Sequence, residues 1–477
     1  MNHGLIKTAL ILTAAGFSGG CEQTAIPTDL ATSPTMQQYD PEQFPGVWLA
    51  RGYGTLIDSK AEPYRLFSYT DSVCTPDSDE LLIEAFLDLA RSEANGAKLV
   101  LASRLDPYEY VFDRLPELPE NCLQPPSDSA RVNFDAFAAF FSSHYAFFDL
   151  YAVNWPQRVQ SARHRVDPDW TDAELYTALS ELIAPLKDSH IKIEASFDGE
   201  EHRYDGNQGP TEQAIAEQAQ RNGLSLREFT GQFRRNYWFE SIAQGVLKSN
   251  GQIAANSRIQ YGLATPDIGF FAVVSMGGFF DGDESELAQE LDALAPVLDE
   301  AITLYNANRV KAVIVDLSLN SGGYDFIAAA IAARFTDQPH LAYTRRAADR
   351  ADGEAWPVVV QPANGARYSG PVYQLTSNLT VSAGEVLTLA LRALPGSVHA
   401  GEPTRGALST MLEKTLPNGW TFALSNEVFT DFRGVLWEGR GIEPERPLQV
   451  FDPADLMGSH LRAVQQLIAM IESDTHS

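Results

Sequence analysis

The sequence predicts an α/β protein with a mostly parallel β-sheet and flanking helices. Within residues 262–450, apolar runs typical of buried strands alternate with helical patterns. The apolar runs are Phe270 to Val274, Val310 to Leu317, Val372 to Leu375 and Val398 to Gly401. Glu284 to Tyr305 is predicted as a long helix, because leucine and valine recur on one face. With 44% apolar residues in 477, the chain can bury a large core.

Composition and pattern divide the chain into seven segments. In order they are a signal peptide with a lipobox-like end (1–21), a tether (22–45), a small β-rich N-terminal domain (46–127), a helical subdomain (128–195), an insert that would act as a lid (196–261), the core (262–450) and a C-terminal helix (451–477).

The β-rich domain is predicted from three runs, Gly46 to Leu56, Tyr64 to Thr70 and Ala97 to Ser103. Between the second and third runs, Leu81 to Ala94 has a helical pattern that ends at an Asn-Gly pair. A proline-rich stretch, Leu115 to Pro126, marks the boundary with the helical subdomain.

Helical patterns dominate the next segments. An aromatic stripe at helical spacing is predicted to pack in the core and consists of Phe134, Phe137, Phe141, Tyr145 and Phe148. Asp172 to Leu186 is predicted as an amphipathic helix, and Thr211 to Asn222 and Ser225 to Val246 have weaker helical patterns. Near the end of the core, Thr410 to Leu416 and Trp420 to Ser425 are predicted to form a hairpin, because Asn-Gly lies between them.

Ser382 lies where the strand from Val372 turns into the helix predicted from Glu385 to Leu394. The first N–H groups of a helix lack intrahelical partners, so an oxyanion forming beside this serine would be stabilised there. Ser382 is therefore a candidate nucleophile. On this segment alone, the simpler interpretation is a helix N-cap.

Two other segments carry candidate functional residues. Gly322 and Gly323 follow a buried strand, where bare backbone N–H groups can approach a ligand, although an ordinary βα turn has the same pattern. His190 stands at a predicted helix-to-strand junction beside the hydroxyl of Ser189. A fixed backbone and a neighbouring hydroxyl favour His190 as a general base over the other histidines.

These segments together resemble peptidase family S41, the C-terminal processing (tail-specific) and tricorn-like serine peptidases, over roughly residues 130–450. The motifs occur in the family's order and are Leu186 to His190, Ile268 to Phe271, Asp316 to Gly323, Thr380 to Glu385, Gly401 to Gly406, Leu416 to Gly419 and Glu438 to Pro444. The resemblance implies a ClpP/crotonase-like sheet. It also implies a serine peptidase without metal or organic cofactor.

One departure from the family indicates which branch the chain resembles. The tail-specific branch has a catalytic lysine directly after Gly406, and this chain has Ala407 there. Lys414, a strand's length further on, is a weak substitute. No PDZ-like Gly-Leu-Gly-Phe run is present either. The chain instead resembles the tricorn-like branch, which uses a Ser-His-Ser-Glu tetrad.

The resemblance assigns a role to each site residue. Ser382 is the nucleophile, His190 takes its proton, and Ser189 orients the imidazole. Glu438 matches the glutamate that orients Ser189, with Glu427 and Glu443 as nearby alternatives. The oxyanion would be bound by the N–H of Ala383 and that of Gly322 or Gly323. The reaction would be peptide-bond hydrolysis through an acyl-enzyme.

The N-terminus predicts secretion to the cell envelope. Residues 8–17 are an apolar stretch too short to span a membrane, and small residues lead to Cys21, a candidate lipidation site. A lipid on Cys21 would be the chain's only membrane attachment. The remaining cysteines, Cys74 and Cys122, could form a disulfide in an oxidising periplasm.

Net charge and composition limit the classes of molecule that this protein is expected to bind. A formal charge of −28 argues against nucleic acid and anionic membrane surfaces. The scattered histidines and cysteines lack metal-ligand spacing. A peptide or an unfolded protein is the expected substrate. Two alternatives stay open at this stage: a non-catalytic binding module for an apolar small molecule or peptide, and an envelope scaffold with a relic site.

Overall fold

The computed structural model describes residues 36–77, 87–106, 108–124, 126–282, 286–348 and 355–475. The predicted signal peptide, Cys21 and most of the predicted tether lie outside these residues. The chain from Met36 onward forms one unit. Among the described helices, none is both long enough and apolar enough to cross a membrane.

The N-terminal part is an antiparallel sheet. Its strands are β1 (Gln37–Gln38), β2 (Val47–Ala50), β3 (Thr55–Asp58), β4 (Arg65–Thr70), β5 (Val73–Asp77), β6 (Leu89–Glu93), β7 (Lys98–Ala102) and β8 (Tyr110–Leu115). They are arranged in the order β1-β6-β7-β8-β2-β3-β4-β5. The predicted β-rich region is therefore confirmed, and β1 belongs to the predicted tether.

Two local predictions in this sheet are wrong. Gly46 to Leu56 is not one strand, because Gly52 and Gly54 adopt positive φ angles of 82° and 56° and separate β2 from β3. The predicted helix Leu81 to Ala94 is contradicted over Leu89–Glu93, which pairs with β7, and residues 81–86 lie outside the described ones. Pairing with the next strand, β7, and with β1 from far back in the chain overrides the local helical pattern there.

The helical subdomain consists of α1 (Ala130–His144), α2 (Trp155–Arg163) and α3 (Asp172–Ile183). The predicted aromatic stripe packs in its core: Phe134, Phe137 and Phe141 are fully buried, and Tyr145 is 6% exposed. Phe422, from the predicted hairpin, packs against Phe137 with ring centroids 4.9 Å apart. These rings join the helices to a distant part of the chain.

A four-stranded sheet packs against the helical subdomain. It contains β9 (Lys192–Phe197), β10 (Glu200–Asp205), β19 (Met411–Thr415) and β20 (Thr421–Ser425) in the order β10-β9-β20-β19. β19 and β20 are the predicted hairpin. β20 pairs with β9 from Thr421↔Glu194 to Ala423↔Lys192, so the start of β9 is held beside the core.

The core sheet has seven strands. They are β11 (Gln252–Ala254), β12 (Ile259–Thr265), β13 (Ile268–Val273), β14 (Ala312–Asp316), β17 (Val372–Thr376), β18 (Ser397–Gly401) and β22 (Arg446–Pro447), in this order across the sheet. All pairings from β13 to β22 are parallel, and β11 and β12 are antiparallel. The predicted mostly parallel sheet is confirmed.

Helices cover both faces of this sheet. One face packs against α6 (Ala288–Asn308), α7 (Asp325–Ala332) and α8 (Ala383–Arg392). The other packs against α4 (Pro210–Arg221), α5 (Leu226–Arg235), a π-helix (Asn236–Val246) and α9 (Ser459–Thr475). Neighbouring residues of β14 alternate, with Val313 in the first cluster and Ile314 in the second. The helices of the insert therefore pack as a layer on one face of the core sheet.

A three-stranded sheet joins the N-terminal sheet to the core. It consists of β15 (His340–Ala347), β16 (Trp356–Val360) and β21 (Glu427–Asp431). Arg345 on β15 donates to Asp106 at 2.8 Å, and Tyr53 donates to the carboxylate of Glu427 on β21. Within the N-terminal part, Cys74 and Cys122 form a disulfide with their Cα atoms 5.1 Å apart.

Candidate active site

Ser382 sits at a sharp turn between β17 and α8. Its backbone has φ 56° and ψ −123°, a conformation that non-glycine residues rarely adopt and that is typically retained at functional sites. The Ser382 N–H donates to the Ala407 carbonyl at 3.0 Å, and Val381 N–H donates to the Asn320 carbonyl at 3.0 Å. Two neighbouring loops therefore hold this turn in place.

Glu385 stabilises the Ser382 turn through hydrogen bonds to a neighbouring loop. Its buried carboxylate accepts hydrogen bonds from Thr404 Oγ1 at 2.6 Å, Gly406 N at 2.8 Å and Ala407 N at 2.8 Å. Burial raises the pKa of Glu385, and these donors partly offset that rise. The sequence showed Glu385 only as part of a motif. Its anchoring role depends on the Thr404 loop, which only the folded chain brings under the helix.

The glycine pair lies directly against Ser382. Gly322 and Gly323 have φ angles of 86° and 135°, and a Cβ on Gly322 would lie 2.7 Å from Ser382 Cβ. The sequence left open whether the N–H of Gly322 or that of Gly323 would bind the oxyanion. Asn320 Oδ1 accepts a hydrogen bond from Gly322 N at 2.9 Å. Gly322 N–H is therefore already used, a correction to its predicted role. The N–H groups of Gly323 and Ala383 donate no hydrogen bond to any described residue.

His190 is placed by a short acidic turn before β9. Its N–H donates to Asp188 Oδ1 at 2.8 Å, and Asp188 Oδ2 accepts from Tyr145 OH at 2.9 Å. The His190 side chain is buried, and it lines the same cleft as Ser382. Burial lowers its pKa, while the Asp188 carboxylate and the Ser409 carbonyl act in the opposite direction. The ring is therefore neutral at neutral pH, the state in which it can accept a proton.

The predicted relay from Glu438 through Ser189 to His190 is not formed. Ser189 donates its hydroxyl proton to the Asn207 carbonyl at 2.7 Å, because the chain after β10 returns beside it. Glu438 Oε2 accepts from Leu408 N at 2.9 Å and Ser409 N at 3.0 Å. Glu438 thus holds the backbone of the segment before β19 whose Ser409 carbonyl acts on His190. Its own pKa is raised well above the ordinary value by burial, Asp188 and Glu385.

The two alternative glutamates lie elsewhere. Glu427 accepts hydrogen bonds from Tyr53 and from Thr410 Oγ1, and so faces the N-terminal sheet. Glu443 is exposed. Among the three glutamates, Glu438 is therefore the one near the His190 site: the Asp188 carboxylate raises the pKa of Glu438, and it also raises the pKa of His190.

The cleft itself has a volume of about 710 Å³. Ser382, Gly323, Ser189 and His190 are among the residues that line it. The insert contributes Tyr237, Trp238 and Phe239 of the π-helix to the lining. A serine, a neutral imidazole and two unused backbone donors around one groove are the components needed for acyl transfer.

Part of the chain matches a known protein family. The sequence profile of peptidase family S41 matches residues 271–448, which hold Ser382, both glycines and Glu438. Residues 271–448 belong to peptidase family S41. The match begins after His190, so that residue rests on the fold rather than on the profile.

Solved structures of other proteins show the same fold as this chain. A protein from Parabacteroides merdae described as a peptidase is 23% identical, with a TM-score of 0.55, over 72% of this chain and 97% of that one. Mature CPAF complexed with lactacystin is 14% identical, with a TM-score of 0.51, over 72% of this chain and 99% of that one. These similarities extend the shared fold beyond the profile match.

Lys414 does not lie at the S41 site. Its Nζ is 3.2 Å from Thr55 Oγ1 and 3.4 Å from the Gly54 carbonyl, so it faces the N-terminal sheet. Ala407, at the position of the tail-specific lysine, is fully buried beside the Ser382 turn. Lys414 is accordingly excluded as a substitute base by its position.

A second Ser-His-Asp constellation in the S41 core is inaccessible. His460 Nδ1 is 2.6 Å from Ser241 Oγ, and His460 Nε2 is 2.8 Å from Asp316 Oδ2. All three side chains are at most 3% exposed, so no substrate can reach them. Burial alone would raise the pKa of Asp316, but His460 and Ser318 hold it below its ordinary value. The constellation ties α9 and the π-helix to β14.

The described residues contain no group of three or more side chains placed to hold a metal ion.

Proposed function

We propose that this protein is a serine endopeptidase that hydrolyses peptide bonds through an acyl-enzyme on Ser382. The observation that carries the proposal is the strained Ser382 turn beside two unused backbone N–H groups, in a cleft lined by a buried, neutral His190. The match of residues 271–448 to peptidase family S41 supports the same reaction class.

The mechanism uses these groups in sequence. His190 accepts the hydroxyl proton as Ser382 Oγ bonds to the peptide carbonyl carbon, and the oxyanion accepts hydrogen bonds from Gly323 N–H and Ala383 N–H. The C–N bond then breaks, and the imidazolium returns the proton to the departing amine. Water hydrolyses the resulting ester by the same steps, with His190 as base again. Loss of one oxyanion donor would reduce kcat by about 10²- to 10³-fold.

Asp188 and Glu438 are positioning residues in this proposal. Asp188 anchors the His190 backbone, and Glu438 holds the Leu408–Ser409 backbone beside the ring. We assign the chain to the tricorn-like branch on the proposed histidine base; Ala407 and the orientation of Lys414 away from the cleft support this proposal. The orienting hydroxyl assigned to Ser189 is omitted, because Ser189 donates to Asn207.

We also propose that the enzyme acts on peptides or unfolded proteins in the cell envelope, anchored through a lipid on Cys21. The apolar N-terminal stretch ending at Cys21 supports this placement. So does the Cys74–Cys122 disulfide, because disulfides persist in oxidising compartments.

A fluorophosphonate probe tests the catalytic proposal directly. The purified protein comprising residues 22–477 is treated with the probe, and the adduct is located by mass spectrometry. An adduct on Ser382, together with hydrolysis of an unstructured protein such as casein, is the expected result. The absence of both the adduct and hydrolysis would favour the binding-module alternative.

Ser189→Ala is expected to lower kcat/KM by less than about tenfold. The hydroxyl bonds to the Asn207 carbonyl, so its loss removes one partly exposed hydrogen bond from the cleft wall without unpairing His190. Steady-state hydrolysis and thermal denaturation of the variant provide the measurement. A loss of kcat/KM as large as that from replacing His190 would instead support the predicted tetrad, in which Ser189 orients His190.

The acid limb of the pH–kcat/KM profile is expected below pH 6.5. A protonated ring cannot act as base, and burial lowers the pKa of His190 from its ordinary value of 6.5, so activity persists at lower pH. The Asp188 carboxylate raises this pKa. Asp188→Asn should therefore move the limb to still lower pH.

Asp198→Asn makes the same charge change in the exposed turn after β9, and serves as the control for this profile. It should leave the limb in place. An unmoved limb in Asp188→Asn, or activity that appears only at alkaline pH, would contradict His190 as the base.

A further inference from the structure

The cleft has the opposite charge from the chain as a whole. The protein has a net charge of −28, with 63 acidic and 35 basic side chains. Five of the residues lining the cleft are nevertheless cationic, namely Lys192, Arg234, Arg235, Arg258 and Arg405, and only Asp205 and Glu212 are acidic. We propose that the cleft selects peptides that carry side-chain carboxylates near the scissile bond. This inference rests on the proposed function for the bond that is cut.

Both carboxylates of the cleft are already paired. Asp205 lies 2.7 Å from Arg203, and Glu212 lies 2.8 Å from Arg405. By contrast, Lys192, Arg234, Arg235 and Arg258 form no ion pair with any carboxylate of the described residues. Four cations therefore remain for a ligand.

These four cations come from three parts of the chain that meet only in the fold. Lys192 begins β9, Arg234 and Arg235 end α5, and Arg258 precedes β12. Arg234, Arg235 and Arg258 are exposed, so a bound peptide can reach them without rearrangement of the core. Low-dielectric walls around a groove of one sign concentrate its field and attract ligands of opposite charge.

Arg405 supplies a fixed donor beside the nucleophile. Its Nε donates to the Asn378 carbonyl at 2.8 Å and its Nη1 to Glu212 at 2.8 Å, so the guanidinium orientation is held. The side chain is only 6% exposed, yet its Nη2 is buried without a hydrogen-bond partner. The Arg405 N–H donates to the Thr380 carbonyl, two residues before Ser382. A buried, unpaired guanidinium nitrogen in the cleft wall favours a carboxylate ligand.

The expected substrates are therefore acidic peptides. A peptide rich in aspartate or glutamate is repelled by the rest of this acidic protein but attracted to the cleft. Because three of the cations are exposed, this attraction is screened by salt over a Debye length of about 8 Å at physiological ionic strength. The preference should therefore weaken as salt is added.

Binding to Ser382→Ala tests this selection without requiring turnover. Two fluorescent peptides are compared by anisotropy, identical except that three glutamates in one are glutamines in the other, and both are amidated at the C-terminus. We expect the glutamate peptide to bind about tenfold more tightly at low salt, since each exposed ion pair contributes modestly. The difference should shrink at 0.5 M NaCl.

Charge variants locate the effect. Arg234→Gln combined with Arg258→Gln should remove most of the difference between the peptides. Arg227→Gln, an exposed arginine on the same helix α5 that does not line the cleft, should preserve it. Arg405→Lys keeps the charge but loses the planar donor, and should weaken the glutamate peptide alone.

A third peptide, neutral in sequence but with a free C-terminus, separates the two sources of carboxylate. Tighter binding of this peptide with no preference for glutamate would overturn the side-chain proposal in favour of terminal recognition. Equal affinities for all three peptides, or no binding of any, would also overturn it. Hydrolysis of neutral peptides by the unsubstituted enzyme would then still support the proposed function.

Discussion

Ser382→Ala is expected to lower kcat for peptide hydrolysis by about 10⁵- to 10⁶-fold and to abolish fluorophosphonate labelling. The loss is large because no other group can form the acyl-enzyme, and only substrate binding and the oxyanion donors remain. The measurement is single-turnover hydrolysis of a fluorogenic peptide, with probe labelling followed in parallel.

The control for this variant must separate chemistry from folding. Alanine at φ 56° has the same backbone strain as serine, so the variant should unfold at nearly the same temperature as the unsubstituted protein. Ser196→Ala, at an exposed position of β9, removes a serine hydroxyl elsewhere and should leave hydrolysis unchanged. Retention of more than a few per cent of the activity by Ser382→Ala would show that the nucleophile is another group.

His190→Ala is expected to lower kcat/KM by about 10³- to 10⁴-fold. The variant retains Ser382 and both backbone donors, but the serine proton then has no base to accept it. Because His190 is buried, alanine also leaves a void. His190→Gln keeps most of the volume without a basic nitrogen and should lose nearly as much activity. Hydrolysis and the rate of fluorophosphonate labelling should fall together.

His164→Ala, which removes an exposed histidine outside the cleft, should behave as the unsubstituted enzyme does. If His190→Gln retained a tenth of the activity or more, histidine could not be the base. Lys192 lines the same cleft and would then become the group to replace.

Much of the fold could be predicted because its signals are local. The strands around Val313 and Val372 are mainly apolar and fully buried, and the long helix before them shows a regular apolar face. The turn at Ser382 and the glycine pair after β14 are also local, since a helix start and a bare backbone segment are visible in the residue types. The helix predicted from Leu81 to Ala94 is wrong over Leu89–Glu93, because strand pairing with β7 outweighed a weak helical pattern there.

The cleft depended on contacts between residues far apart in the chain. Pairing of β20 with β9 holds the His190 turn beside the core, and Asn320 decides which glycine N–H stays available. The hydroxyl of Ser189 turns to Asn207 because β10 brings that carbonyl back beside it. Side-chain hydrogen bonds of this kind are set by which groups meet in space, and sequence spacing does not encode them.

The sequence by itself therefore determined the α/β class, the S41 motifs and the identity of Ser382 and His190 as candidates, because each depends on short-range periodicity or on residue type. Only the tertiary structure decided that Glu438 holds the backbone of residues 408–409, that Lys414 faces the N-terminal sheet, and that cations from separate elements line one cleft. Those outcomes depend on long-range packing and on the desolvation of charged groups, which arise only when distant segments are brought together.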